Sequence, residues 1–180
     1  MGKPKQLLPW METTLLGNCI VIAQSICDKV TLVTGACKSE VEDEVEKFKV
    51  NTIYNPNWQE GLGKSIAIGV GHLVEKYQDI DGILILLPDQ PFITQEYLEK
   101  MVEQFSNKEN LILATQYDKK DYGVPVMFPE KYFEELKELT GDHGAKAILK
   151  KNADHVISIL PEFKLSDIDT VEDYRDLLKN

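Results

Sequence analysis

Short β-branched or aliphatic runs alternate along the chain with segments of helical length, and this alternation limits the folds open to it. The runs that read as strands span 29–36, 50–55, 81–91, 110–117, 122–128 and 155–160. The segments that read as helices span 13–28, 39–48, 63–77, 95–105, 130–139, 141–152 and 171–179. This order predicts a doubly wound α/β fold with a mostly parallel sheet between two helical layers. Pro125 predicts that the 122–128 strand lies at an edge or ends there.

Composition and charge narrow the possible functions. With 180 residues, 43% of them hydrophobic and 28% charged, the chain fits a single domain over 1–180. Its formal net charge of −10 argues against a nucleic-acid partner, which needs a basic surface. No apolar run is long enough to span a bilayer and no leader is recognised, so we expect no membrane association. Three cysteines without metal-binding spacing read as reduced thiols, which predicts a cytoplasmic protein.

In a doubly wound sheet, ligands bind at the loops that follow the carboxyl ends of the strands. Four such loops stand out: GACKS at 35–39, NPNWQEGLGKS at 55–65, PDQP at 88–91 and the loop after Ala114. Because the chain is strongly acidic, an anionic substrate at these loops would need a lysine or a divalent cation to offset the charge.

The sequence GLGKS at 61–65 resembles the phosphate-binding loop of nucleoside triphosphatases, but its spacing differs from that motif. The motif has a first glycine, four further residues and then Gly-Lys-Ser/Thr. Trp58 stands where the first glycine is needed, and an indole there would fill the space that the phosphates require. Two readings stay open, a glycine-rich turn that starts a helix and a turn that touches a nucleotide in another way.

Carboxylates occur where a divalent cation could bind. Asp89 follows the uninterrupted aliphatic run Ile83–Leu87, and a carboxylate at the carboxyl end of a central strand can hold a cation. Beside two prolines it can equally form a turn. Asp167 and Asp169 alternate along SDIDT and should point to one face, where they repel unless a cation or a base lies between them. The alternative is that one of them faces solvent and the other assists the cap of the last helix.

Basic and glycine-rich segments supply candidates for anion binding. Lys3 and Lys5 precede an apolar segment that should pack down, so these lysines could meet phosphates, although an amino-terminal lysine pair is usually only solvated. GDHGAK at 141–146 reads as a helix start, which attracts anions through its free N–H groups unless Asp142 caps it. His143 has no partner at metal-ligand spacing, and we expect it at the surface.

Five segments in order resemble the MobA-like nucleotidyltransferases, and among them the molybdenum cofactor cytidylyltransferases. They are MGKPKQLLPW, VTLVTGA, NPNWQEGLGKSI, LILLPDQPFIT and GVPVMFPEKYFEELKELTGDHGAKAILKK, closed by DIDTVEDYRDL. The resemblance covers nearly the whole chain, and the ordered set is more specific than any single segment. LPDQP is closer to the cytidylyltransferases than to the guanylyltransferases. The fold implied is Rossmann-like, of the nucleotide-diphospho-sugar transferase type.

The activity implied is transfer of a nucleoside monophosphate from CTP, or from GTP, to a molybdopterin-type phosphorylated acceptor, with release of pyrophosphate. A molybdoenzyme is an implied partner. By similarity, Asp89 would bind Mg2+ together with Asp169 and Asp167, and Lys5 would contact the triphosphate. Ser65 would lie close to the base, and the 141–145 loop towards the acceptor. The residues implied to bind nucleotide or acceptor are Gly2, Gly61, Gly63, Lys64, Ser65, Gly141, Asp142 and Gly144.

The sequence departs from the family pattern at its amino terminus. Members begin with a hydrophobic strand and a Gly-rich loop that ends in Arg-Met-Gly, whereas this sequence starts at Met1-Gly2. The first strand of a doubly wound sheet is usually central, so we expect two inner strands to lack a neighbour and the chain to bind nucleotide weakly. Three explanations stay open: a longer natural protein, direct closure of the neighbouring strands, or a strand from another chain.

Two other functions stay open. A nucleotidyltransferase for a sugar phosphate or a phospholactate would use the same chemistry, because the acceptor half is less diagnostic. A non-catalytic accessory protein for delivery of the molybdenum cofactor would keep the fold, and the missing amino-terminal signature favours it.

Overall fold

The helices and strands follow the alternation expected from the sequence. The computed structural model describes residues 4–108, 110–119, 121–163, 168, 170 and 173–175. The strands are β1 (Pro9–Trp10), β2 (Thr13–Thr14), β3 (Thr31–Thr34), β4 (Asn51–Tyr54), β5 (Gly82–Ile85), β6 (Ile112–Asp118), β7 (Asp121–Pro129) and β8 (Val156–Ile159). The helices are α1 (Leu15–Ile26), α2 (Lys38–Val45), α3 (Leu62–Lys76), α4 (Gln95–Ser106), α5 (Phe133–Lys137) and α6 (Lys146–Lys151).

Among the described residues the strands form three sheets. β1 and β2 make a short antiparallel hairpin, and β3 pairs with β4 in parallel. The largest sheet has the order β5–β7–β6–β8, in which β7 runs antiparallel to both neighbours and β6 is parallel to β8. β5, β6 and β8 therefore share one direction, and the sheet is mixed because of β7 alone.

Helices cover both faces of the largest sheet. On one face, α3, α5 and α6 bury Ile66, Phe133 and Leu149 against strand residues such as Phe128. On the opposite face, α1 and α4 pack against alternate strand residues, among them Leu113. The three-layer α/β fold predicted from the sequence is confirmed.

Local capping positions the helix on the second face. Thr94 accepts a hydrogen bond from the Tyr97 N–H through its side-chain oxygen at 3.2 Å, so α4 begins at Gln95, the first residue of the helix predicted over 95–105. Its buried residues Tyr97, Leu98 and Met101 lie on one side of the helix and face the sheet. In the part of the chain that the structure describes, no helix is both long enough and apolar enough to cross a membrane.

Two local expectations were wrong. β7 lies inside the sheet rather than at an edge, because its register with β6 shifts so that Ala114 faces Val126 while Thr115 faces Gly123. Pro125 falls in this irregularity, where the ladder does not require its missing N–H. The helix expected over 141–152 begins only at Lys146. Gly141 and Gly144 adopt positive φ values of 71° and 52°, which a right-handed helix excludes.

Candidate functional site

The loops after β3 and β4 meet at one edge of the molecule. A Cβ atom on Gly35, the residue after β3, would lie 2.8 Å from the Cβ of Trp58. The Gly63 N–H at the start of α3 donates to the Gly141 carbonyl at 2.8 Å. The GLGKS turn therefore joins the end of the β3–β4 sheet to the loop before α6.

The loop after β5 reaches the same edge. The Gln90 side-chain amide donates to the Tyr117 hydroxyl, which lies near the turn between β6 and β7. The Lys146 ammonium lies 3.4 Å from an Asp121 carboxylate oxygen and 5.9 Å from the Tyr117 ring centroid. Because the 141–145 loop contacts the GLGKS turn and Lys146, which directly follows that loop, contacts this region, the carboxyl ends of β3, β4 and β5 share one edge. Ligands bind at such an edge in folds of this type.

Asp89 and Lys5 form an ion pair at this edge. The Lys5 Nζ lies 2.9 Å from Asp89 Oδ2, and the two side chains are 34% and 18% exposed. The second oxygen, Asp89 Oδ1, is buried and has no hydrogen-bond partner among the described residues. The Ile168 N–H donates to the Asp89 backbone carbonyl at 3.0 Å, so Ile168 adjoins the residue that carries this carboxylate.

The Asp89 carboxylate has the properties of a divalent-cation ligand. A buried anionic oxygen without a donor is unfavourable unless a cation or another donor completes it. Magnesium is commonly held by one or two carboxylates together with substrate phosphates, and Asp89 Oδ1 has no hydrogen-bond donor among the described residues. The other predicted ligands, Asp167 and Asp169, lie outside the described residues, as does Gly2. The described residues contain no group of three or more metal-ligating side chains.

The GLGKS turn requires its glycines for close approach to the 140–142 loop. Gly61 has a φ of 96°, and a Cβ atom there would collide with the Gly141 backbone and with Asp142 Oδ1. A Cβ atom on Gly63 would lie 2.7 Å from the Thr140 carbonyl oxygen. Two segments that the sequence singled out separately are therefore in direct contact.

Ser65 is oriented by Asn55, a residue that the sequence reading did not single out. Asn55 is fully buried, and its amide Nδ2 donates to Ser65 Oγ at 3.0 Å. Its Oδ1 accepts the Asn57 N–H at 2.9 Å, and its own N–H donates to the Thr34 carbonyl at 2.8 Å. Asn55 thus ties β3, the loop after β4 and α3 together. The Asn-Pro-Asn turn was the signal available for it.

The remaining predicted residues lie around these contacts. Lys64 is half-exposed in the first turn of α3. Gly144 is buried, with the Leu62 side chain 3.0 Å from the position of a Cβ atom. Asp142 is exposed and does not cap α6, whose start has no side-chain cap, so the alternative in which Asp142 caps the helix does not hold. His143 is exposed, as expected.

Cys19 lies close enough to Asp89 for the charge of that carboxylate to affect the pKa of the Cys19 thiol. Desolvation by burial, and then the negative charge of Asp89, raise the pKa of the Cys19 thiol to about 12. The thiol therefore stays protonated at neutral pH and is a poor nucleophile.

The chain has relatives of known family. Residues 1–156 match the MobA-like NTP transferase domain. The purine catabolism protein PucB of Bacillus subtilis is 32% identical over 123 residues, which are 64% of this chain and 55% of PucB. The chain thus spans about half the length of that relative.

Solved structures show the same fold. Rv0371c from Mycobacterium tuberculosis superposes with a TM-score of 0.85 and 27% identity, covering 100% of this chain and 91% of that one. Its complex with manganese gives a TM-score of 0.82 and 26% identity over 99% and 94% of the two chains. A nucleotidyl transferase from Methanothermobacter, 19% identical over 96% of this chain and 82% of its own, shares the fold with a TM-score of 0.80. By its sequence match and its fold, the chain belongs to the MobA-like NTP transferase family.

Proposed function

We propose that this chain transfers CMP from CTP to a molybdopterin-type phosphorylated acceptor and releases pyrophosphate, with Mg2+ as the cofactor. The Asp89 carboxylate carries the proposal, because one of its oxygens binds Lys5 and the other is buried without a partner among the described residues. The LPDQP sequence around Asp89 supports CTP, and GTP is the alternative donor. The three cysteines are free thiols, which supports a cytoplasmic location.

The proposed reaction needs charge neutralisation rather than a protein nucleophile. An oxygen of the acceptor phosphate attacks the α-phosphorus of CTP, the bond from that phosphorus to the β-phosphate oxygen breaks, and pyrophosphate leaves. Both reactants are anions and the chain carries a net charge of −10, so their approach must be assisted locally. Asp89, with Asp169 and Asp167, would hold a magnesium ion, which would supply electrostatic stabilisation of the charge that develops on the phosphates.

The residues at this edge of the molecule fit this division of tasks. Asp89 would hold the cation through Oδ1, and Asp169 and Asp167 would complete the ligand set. Lys5 would turn from Asp89 Oδ2 to the triphosphate as a point charge. Ser65, oriented by Asn55, would lie beside the nucleotide base. Positioning by these groups can supply much of the rate in phosphoryl and nucleotidyl transfer.

The glycine-rich loops would form the two walls of the substrate site. Gly61, Gly63 and Lys64 belong to the wall on the nucleotide side, and Gly2 would continue it. Gly141, Asp142 and Gly144 belong to the acceptor side. The hydrogen bond from Gly63 to Gly141 holds these walls together, which supports adjacent donor and acceptor sites.

A pyrophosphate-release assay tests the proposal. The chain is supplied with Mg2+, molybdopterin and either CTP or GTP, and release is expected with CTP. Asp89→Asn should lower release by roughly 100-fold or more, since it removes an anionic ligand at the site of charge development. The matched control is Asp43→Asn, because Asp43 is an exposed aspartate on α2 and should leave the rate unchanged.

Three outcomes contradict the proposal. Release that survives Asp89→Asn would remove this carboxylate from the reaction. Release with a sugar phosphate or a phospholactate, but not with molybdopterin, would replace the acceptor. If no triphosphate gives pyrophosphate release, and the chain binds a molybdoenzyme both with and without the Asp89→Asn substitution, the result would favour a delivery protein.

A further inference from the structure

Two residues near the carboxyl end of the chain bind two different parts of the candidate site. The Ile168 N–H donates to the Asp89 backbone carbonyl at 3.0 Å, and Ile168 is only 1% exposed. Further along the chain, the Tyr174 hydroxyl donates to the Pro9 carbonyl at 2.6 Å. These two contacts link the loop that carries Asp89 to the β1–β2 hairpin, although the loop and the hairpin are far apart in the sequence.

A capping box fixes Tyr174 relative to Thr170. The Thr170 N–H donates to Asp173 Oδ2 at 2.7 Å, and the Asp173 N–H donates to Thr170 Oγ1 at 3.1 Å. The Tyr174 N–H donates to the Thr170 carbonyl at 3.3 Å. Reciprocal bonds of this kind fix the first turn of a helix. Because Thr170 follows the buried Ile168 by two residues, the place of Tyr174 is coupled to the contact with Asp89.

The β1–β2 hairpin brings Lys5 to Asp89. Lys5 lies in the short 3-10 helix Lys5–Leu7 just before β1, and its ammonium is 2.9 Å from Asp89 Oδ2. The rings of Trp10 and Phe92 meet edge to face at 6.1 Å between centroids, which adds an apolar contact between the hairpin and the loop. An isolated two-stranded hairpin is marginally stable in water, so contacts with the rest of the chain determine how firmly Lys5 is held.

We infer that Tyr174 is a positioning residue for the pair of Lys5 and Asp89. Its hydroxyl holds the hairpin that carries Lys5, while Ile168 of the same segment binds the Asp89 main chain. Lysine is a point charge on a flexible stem, so the place of its ammonium depends on how its backbone is held. An effect of Tyr174 on the reaction rate rests on the proposed function, whereas its hold on the hairpin does not.

Removal of the Tyr174 hydroxyl tests this role. The net contribution of one hydrogen bond corresponds to about a 2- to 12-fold change in an equilibrium constant. Tyr174→Phe should therefore raise the rate of Lys5 acylation by acetic anhydride about 2- to 12-fold, since the nitrogen must leave Asp89 before it attacks. Amide hydrogen exchange over Leu8–Thr14 should rise by about the same factor. Mass spectrometry measures both, and Lys150, which is exposed on α6, is the reference for the reagent.

Tyr77→Phe is the matched control, because it removes a tyrosine hydroxyl that is also hydrogen-bonded. The Tyr77 hydroxyl accepts from Asn51 Nδ2 at 2.8 Å, at the amino end of β4 and therefore away from the candidate site. This variant should change neither the Lys5 acylation nor the exchange of the hairpin. In an Asp89→Asn background, Tyr174→Phe should still speed exchange of the hairpin but should no longer change Lys5 acylation.

Pyrophosphate release connects this role to the proposed function. Tyr174→Phe should lower release by about 10-fold, within the loss of about 100-fold that a misplacement of about 1 Å can cause. It should lower release no further in a Lys5→Gln background, because the charge that it positions is then absent. A residue that only stabilises the fold would lower release in both backgrounds.

Three results would overturn the inference. Unchanged Lys5 acylation and hairpin exchange in Tyr174→Phe would show that the hydroxyl does not hold the hairpin. Equal changes in Tyr77→Phe would assign them to a general loss of stability. An equal loss of release in the Lys5→Gln background would show that Tyr174 does not act through Lys5. If no variant releases pyrophosphate but Tyr174→Phe speeds Lys5 acylation, the proposed function is refuted and the hold on the hairpin is supported.

Discussion

Replacing Asn55 by alanine tests whether one buried amide holds the nucleotide-side loop. The side chain of Asn55 is fully buried, donates to Ser65 Oγ at 3.0 Å and accepts the Asn57 N–H at 2.9 Å. Each such bond contributes about 0.5–1.5 kcal/mol net. Ser65 is only partly buried and Asn57 is exposed, so the Ser65 hydroxyl and the Asn57 N–H can bond to water once the Asn55 amide is removed. The desolvation cost of a buried polar group without a partner is therefore not added. We expect Asn55→Ala to lower the free energy of unfolding by about 1–3 kcal/mol.

This loss corresponds to a decrease in Tm of roughly 2–12 °C for a domain of this size. The assay is urea unfolding followed by circular dichroism, with Tm from differential scanning calorimetry as the second measure. The matched control is Asn57→Ala, which keeps the backbone N–H that bonds to Asn55 and should change the free energy of unfolding by less than about 0.5 kcal/mol. If Asn55→Ala also stays within that range, or if both variants shift equally, the amide does not hold the loop.

Two further perturbations probe the turn and the buried thiol. Gly61→Ala should destabilise the fold by about 1–3 kcal/mol or more, because Gly61 has a positive φ and a Cβ atom there collides with Gly141. Gly71→Ala in α3, where a Cβ atom has open space, should stabilise the fold by about 0.5–1 kcal/mol. Urea unfolding of both variants gives the sign of each change in the free energy of unfolding, and equal signs would refute the reasoning. Cys19 should react with iodoacetamide at pH 8 about a thousandfold more slowly in the folded than in the urea-unfolded chain, because its pKa rises from 9.0 to about 12. The contribution of the Cys19 thiol to the free energy of unfolding is full below pH 9 and is lost as the pH rises through about 12, because the unfolded thiol releases its proton first. Rapid alkylation of Cys19 in the folded chain, measured by mass spectrometry, would contradict the burial of the thiol.

The strand and helix order was predictable because it rests on local patterns. Thr94 caps α4 as its sequence indicates, and the aliphatic run before Asp89 forms β5. Local patterns could not place β7 inside the sheet, since the register shift that accommodates Pro125 depends on its pairing with β6. They also misplaced the start of α6, because two glycines in the left-handed region outweighed the helical pattern around them.

The residues of the candidate site were also only partly predictable from the sequence. Asp89 and Lys5 were identified from their positions at the end of a strand and in an amino-terminal lysine pair, and the structure brings them to 2.9 Å. Asn55 was missed, because burial and hydrogen-bond partners cannot be read from an Asn-Pro-Asn turn alone.

By itself, the amino-acid sequence determined the α/β alternation, the acidic charge and the segments that carry the site, because each depends on residue type and short-range spacing. Only the tertiary structure decided that the GLGKS turn packs on the 140–142 loop, that Asn55 orients Ser65, and that the Tyr174 hydroxyl binds the Pro9 carbonyl. These contacts join residues far apart in the chain, so they depend on how whole elements pack, and no local pattern encodes that packing.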